Sequence, residues 1–167
     1  MRTAIHGLSC LVLALVLGLV VVVNAGCMKC GGKLAGDATQ KVLERMVEKA
    51  TGGKAQVELG GDVDLSDLPV FLQYPGARPT AKWSLAGDKG TGSVYSLVAV
   101  EDKDTVIGWF KISLTGQEWK QSAAREVGGG TMLVFHSPDG RQVVTVLVHT
   151  DDGKTAVTIA RSTKSSS

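Results

Sequence analysis

The chain has 167 residues, three cysteines and a formal net charge of +2, which suits one domain or at most two. A nearly neutral chain gives no reason to expect a nucleic-acid partner, and a charged fraction of 20% is too ordinary for a disordered protein. Three cysteines are too few for a scaffold held together by disulfides. These numbers favour an ordinary globular domain.

The first 26 residues have the composition of a secretory signal peptide. Arg2 supplies the positive start, residues 8–23 carry no charge, and the small residues Ala25 and Gly26 follow. The uncharged segment is slightly short for a transmembrane helix, which needs about 20 apolar residues. We therefore predict that residues 1–26 direct the protein across the cytoplasmic membrane.

Three fates of this segment remain open. Ala25-Gly26-Cys27 looks like the end of a bacterial lipobox, in which Cys27 receives a diacylglycerol thioether and becomes the mature N-terminus. Asn24 stands where most lipoboxes have an aliphatic residue, so cleavage after Ala25 or an uncleaved anchor are the alternatives. We favour lipidation because Cys27 is the only nucleophile at the junction. Acyl chains such as palmitate, contributing about 0.8 kcal/mol per buried CH₂, would anchor the protein in the cell envelope.

Cys27 and Cys30 also form a Cys-x-x-Cys motif. A zinc ribbon needs a second pair of this kind, and a thioredoxin-like motif opens a helix after a strand, whereas this one follows the signal segment and precedes glycines. We expect no metal and no cofactor, and we keep a thiol-redox role of Cys27 and Cys30 as an alternative function.

The next part of the chain predicts a tether and a helix. Residues 27–36 have no apolar periodicity and resemble a short spacer. Asp37 resembles the first residue of a capping box, and Gly52-Gly53 ends the helix that follows. The apolar stripe of this helix consists of Val42, Leu43, Met46, Val47 and Ala50.

Residues 37–66 are predicted to form this helix and a short hairpin. Residues 55–59 alternate as a strand does, and Val63 with Leu65 would form a weak return strand. Three of the four prolines then mark residues 67–80 as a connector, in which Tyr-Pro-Gly-Ala at 74–77 predicts a turn.

Residues 81–161 predict an α+β domain, an antiparallel sheet of about five or six strands covered by one helix. Val106, Phe110 and Leu114 repeat at helical spacing within a helix at 103–116. Asp-Gly turns after Pro138 and Asp151 indicate that the last three strands form a meander. Residues 162–167 are predicted to be a flexible tail. The predicted strands are Ala81–Leu85, Ser93–Val100, Gln121–Val127, Met132–His136, Gln142–Thr150 and Thr155–Ala160.

Three motifs give the chain a family resemblance. They are Ala-Thr-Gly-Gly-Lys at 50–54, Tyr-Pro-Gly-Ala at 74–77, and Val-Ile-Gly-Trp-Phe at 106–110 with Trp119 after it. Over residues 27–161 the chain resembles a loose group of uncharacterised bacterial envelope lipoproteins, in which a similar helix leads through Gly-Trp into a hairpin sheet. This chain has Glu118 in place of that glycine. The resemblance implies a fold and a location, and no activity.

Motifs of the common hydrolases, nucleotide-binding proteins and zinc proteases do not occur in the sequence. His136 and His149 lie on predicted strands 13 residues apart, which is typical of packed or half-exposed side chains rather than of metal ligands. We therefore expect no enzyme. The first hypothesis is a lipid-anchored envelope protein that binds another envelope protein or a cell-wall component. An alternative is a binder of small apolar ligands, with a pocket between the second predicted helix and the sheet lined by Trp109, Phe110 and Trp119.

Overall fold

The computed structural model describes residues 54–60, 62–87 and 90–164. The predicted signal peptide, Cys27, the tether and the first predicted helix lie outside this range. The elements in chain order are β1 (Lys54–Leu59), a 3-10 helix (Val70–Leu72), β2 (Arg78–Gly87), β3 (Gly90–Ala99), α1 (Lys103–Gly116), β4 (Lys120–Val127), β5 (Gly130–His136), β6 (Gln142–Asp151) and β7 (Lys154–Lys164).

These elements confirm the predicted class at the level of one antiparallel sheet with a helix. The strand order is β1-β2-β3-β7-β6-β5-β4, and all neighbours are antiparallel. The last three strands form the predicted meander. The connection through α1 carries the chain from β3 to the far edge of the sheet at β4, and β7 then returns to pair with β3. The C-terminal strand therefore joins the two parts of the sheet.

Over the described ranges the sheet has seven strands rather than five or six, because β1 belongs to it. The predicted return strand at Val63 and Leu65 is wrong: β1 pairs with β2 over its whole length, from Lys54 opposite Ala86 to Leu59 opposite Ala81. Residues 62–66 instead form a turn stabilised by a side chain. Asp64 accepts hydrogen bonds from the backbone N–H of Ser66 at 2.8 Å and from its hydroxyl at 2.7 Å, an arrangement that competes with strand formation.

The predicted tail is also wrong in its first part. Ser162, Thr163 and Lys164 continue β7 and pair with the start of β3. Polar residues form a strand here because β3 supplies backbone partners on one side and β6 pairs with Ser162 and Thr163 on the other. Residues 165–167 lie outside the described range.

The main core lies between α1 and one face of the sheet. Alternation along β6 shows the two faces: Val144, Val146 and Val148 are fully buried, whereas Thr145 and Leu147 point to the other face and are half-buried. The segment between β1 and β2 contributes Leu68, Leu72 and Tyr74 to the same core. The largest fully buried members from the sheet and helix are Tyr95, Leu97, Phe110, Leu114, Leu133, Phe135 and Ile159.

Both ends of α1 are fixed by local hydrogen bonds. The carboxylate of Asp102 accepts from the backbone N–H of Thr105 at 2.9 Å and from its hydroxyl at 2.7 Å, which lowers the pKa of Asp102. At the other end Glu118 has a φ of 61°, the left-handed conformation that favours glycine. This turn lets the N–H of Trp119 bond to the carbonyl of Leu114 at 3.0 Å. Trp119 is thereby directed into the core.

The side chain of Trp119 makes a testable contribution to this core. It is 7% exposed, and its ring lies 6.0 Å from that of Phe71. Trp119→Ala should lower the free energy of unfolding by about 3 kcal/mol or more, the usual cost of truncating a buried large aromatic side chain. Urea unfolding of the full-length chain followed by circular dichroism measures this loss.

Ile112→Ala on the outer side of α1 is the matched control. Ile112 is 75% exposed, so its truncation should change stability by no more than about 0.5 kcal/mol. An unchanged urea midpoint for the Trp119 variant would mean that this ring does not stabilise the domain.

Candidate functional site

A polar cleft of about 400 Å³ lies on the α1 side of the sheet, over β1, β2, β3 and β7. Its floor is a straight row of cross-strand partners, in which Gln56 is opposite Ser84, Ser84 opposite Ser93, and Ser93 opposite Arg161. Directly opposite residues in antiparallel strands point to the same face. A second pair, Thr91 and Thr163, lies beside this row. The register thus collects hydroxyl, amide and guanidinium groups on one open surface.

Arg161 is the fixed cation of the cleft. Its Nε and Nη2 atoms donate to Oε1 of Gln142 at 3.1 and 2.9 Å, and its Nη1 donates to the backbone carbonyl of Asp67 at 3.2 Å. Among the residues that the structure describes, no carboxylate lies within 4.0 Å of this guanidinium. The side chain is therefore held by neutral acceptors, and two of its five N–H groups remain for another partner.

The second cation beside the cleft, Lys82, is already paired. Its Nζ lies 2.9 Å from Oδ1 of Asp67 and 3.8 Å from Oε1 of Glu58, and it donates to the carbonyl of Asp64 at 3.1 Å. Burial opposes the charge of Lys82, but the hydrogen bond to Asp67 and the two negative charges outweigh it, so its pKa is raised. Asp67 thus holds Lys82 through its carboxylate and Arg161 through its backbone, which fastens the segment before β2 to the sheet.

Tyr95 contributes an unusual hydroxyl to the cleft wall. The side chain is fully buried, and its hydroxyl has no hydrogen-bond partner among the described residues. Burial raises the pKa of Tyr95, so the hydroxyl keeps its proton. Ser93 and Asp67 both influence this pKa, yet neither meets the hydroxyl in hydrogen-bond geometry. A buried hydroxyl without a partner costs about 1–3 kcal/mol, and such groups call for an explanation in each structure.

The aromatic residues predicted to line an apolar pocket pack into the core instead. Phe110 is fully buried, and Trp109 is half-buried with its ring 5.0 Å from that of Phe110 and 5.2 Å from that of Tyr74. The ring of Trp119 lies next to that of Phe71. The structure therefore packs all three aromatic residues in or against the main core, and the cleft includes none of them.

The predicted lipidation site at Cys27 and the neighbouring Cys30 lie outside the described residues, which begin at residue 54. No helix within the described ranges is long and apolar enough to span a membrane. A second cavity of about 360 Å³, lined by Arg78, Val100 and Lys154 among others, lies at the other end of β2 and β3.

Sequence reasoning missed Arg161, Tyr95 and the cleft they share. The alternation of β7 carried a usable signal, since Arg161 falls in step with the buried Val157 and Ile159 and so points to the α1 side. The partners Gln56 and Ser84 could not be found in this way, because alternation does not reveal which strands are neighbours.

Comparison of the chain with protein-family models, with curated proteins and with solved structures gave no match. The assignment of a function therefore depends on the residues themselves.

The ion pair at Lys82 predicts a stability effect. Lys82 is 8% exposed, and Lys82→Ala would leave Asp67 and Glu58 without their cation. Both carboxylates are about half exposed and keep access to water, so the loss should be near 2 kcal/mol, below that of a fully enclosed pair. Urea unfolding of the full-length variant measures it.

The control is Lys103→Ala. Lys103 lies 3.8 Å from Glu126 at the surface, where an ion pair contributes about 0–1 kcal/mol. Equal losses for the two lysine variants would contradict a special role of Lys82.

Proposed function

We propose that the chain is a lipid-anchored protein of the bacterial cell envelope with a non-catalytic binding role, and that its polar cleft binds a cell-wall component. The signal-like first 26 residues and Cys27 support export and anchoring. The membrane partner is then the lipid bilayer that holds the acyl chains.

The observation that carries the binding role is the fixed guanidinium of Arg161. Neutral acceptors orient it at the end of a row of hydroxyl and amide groups. A ligand site typically combines a concave surface with a few well-placed polar groups that fix orientation. A cell-wall component offers hydroxyls, amides and acidic groups, which are complementary to this set.

Anchoring is tested by Cys27→Ser. Serine cannot form the thioether, so the variant should be released from the membrane fraction or remain unprocessed. Fractionation of the producing cells and the intact mass of the purified protein measure both outcomes. Cys30→Ser should behave as wild type, and a Cys27 variant that is processed and membrane-bound like wild type would contradict lipidation.

Wall binding is tested by co-sedimentation of the purified full-length chain with isolated cell walls. We expect wild type and Arg125→Gln to sediment equally, since Arg125 lies on β4 at the far edge of the sheet. Arg161→Gln should remain largely in the supernatant. Sedimentation of neither wild type nor variant would contradict the proposed wall ligand.

A further inference from the structure

We infer that the group bound by Arg161 is a carboxylate on a small hydroxylated ligand, with the hydroxyl of Tyr95 as a second donor. This inference rests on the proposed binding role of the cleft and specifies what the cleft recognises.

The hydrogen bonds of Arg161 indicate that its ligand carries an oxyanion. Its positive charge meets only an amide oxygen and a backbone carbonyl among the described residues, at 2.9 to 3.2 Å. A guanidinium prefers a carboxylate or phosphate, which it contacts through two parallel N–H groups. Two N–H groups of Arg161 remain, while the three hydrogen bonds to Gln142 and Asp67 hold the side chain in place. The cation is thus oriented before any ligand arrives, which lowers the entropy cost of binding.

The surrounding charges favour a singly charged group. Lys82 is compensated by Asp67 and Glu58, so it adds little attraction for a ligand. A phosphate monoester carries about −1.5 to −2 charges at pH 7, which is more than one uncompensated cation can balance. Among the described residues that line the cleft, one uncompensated cation therefore suits a carboxylate better than a phosphate monoester.

Tyr95 supplies the independent observation. Its hydroxyl is buried, lacks a partner in the described part of the chain, and belongs to a residue that lines the cleft. A carboxylate oxygen would accept a hydrogen bond from it and satisfy the group. Tyr95 is two residues after Ser93 on β3, and Ser93 is directly opposite Arg161. Residues two apart on a strand point to the same face. The phenol and the guanidinium are therefore diagonal neighbours on one face of the sheet.

The rest of the row indicates a hydroxylated ligand. From Arg161 the floor continues over Ser93 and Ser84 to Gln56, a span of about 14 Å at the usual spacing between strands. Hydroxyl and amide groups both donate and accept hydrogen bonds, as recognition of sugar hydroxyls requires. A carboxylated sugar held by Arg161 would lie along these residues.

Saturation-transfer NMR of the full-length chain, in micelles of a detergent without a sugar headgroup, tests the inference with three probes: glucuronate, glucose and glucose 6-phosphate. Glucuronate should bind roughly tenfold or more tightly than glucose, the effect of one charge-assisted pair. Arg161→Gln should remove this advantage, and Arg125→Gln should retain it.

Tyr95→Phe provides a second variant that does not depend on the fold tolerating a change at Arg161. It removes a hydroxyl without a partner, so the urea midpoint should stay equal or rise, while the Kd for glucuronate should increase several-fold. An unchanged Kd in a folded Tyr95→Phe variant would overturn the role of the hydroxyl.

The remaining outcomes separate this inference from the proposed function. Equal binding of glucose and glucuronate, tighter binding of glucose 6-phosphate, or binding of none of the three would each overturn the carboxylate. Wall co-sedimentation of the wild type that depends on Arg161 would still support the proposed function in those cases, whereas a wild type that does not co-sediment with walls would contradict the proposed function itself.

Discussion

Within the described residues, one α-helix packs on a sheet that is wider than the helix, and this constraint shapes the fold. Seven strands span about 29 Å at the usual spacing, whereas an α-helix with its side chains is about 10–12 Å across. Helix α1 contacts β6, β4 and the 3-10 helix. The segment between β1 and β2 extends the cover with Leu68 and Leu72. Beyond this segment the same face of the sheet carries the polar residues Ser84, Ser93 and Arg161, and the cleft lies over them.

Charged side chains lie at the boundary between the part of the sheet that is covered by the core and the part that is open. Next to the buried Tyr95, Lys82 is enclosed between the sheet and Asp67, and Arg161 reaches the backbone of the same aspartate. The segment before β2 is thus fastened by two cations at the point where the apolar core ends. Asp67 therefore has two roles. Its contacts with Lys82 and Arg161 hold the segment before β2 on the sheet, and the contact with Arg161 also orients the guanidinium of the cleft.

The parts of the fold that depend on local signals could be predicted from the sequence. Helix α1 runs from Lys103 to Gly116 as predicted, because Asp102 caps it and its apolar period is regular. The turns at Gly140 and Gly153 predicted the meander, and both glycines have positive φ. The local pattern does not show which strand pairs with which when the partners are far apart in sequence. The alternation of β1 fits a partner at residues 63–65 as well as it fits β2. The cleft was missed for the same reason, since its row joins residues from Gln56 to Arg161.

The position of β7 has a consequence for how the domain is made. This strand is the last of the described elements, yet it lies in the interior of the sheet and supplies the pairing between β3 and β6. Until it arrives, β3 and β6 each present an unpaired edge, the kind of surface on which chains aggregate. Such long-range pairing also slows folding, because the ends of a long loop must meet first. A chain cut short before Lys154 would therefore retain two open edges in the interior of its sheet.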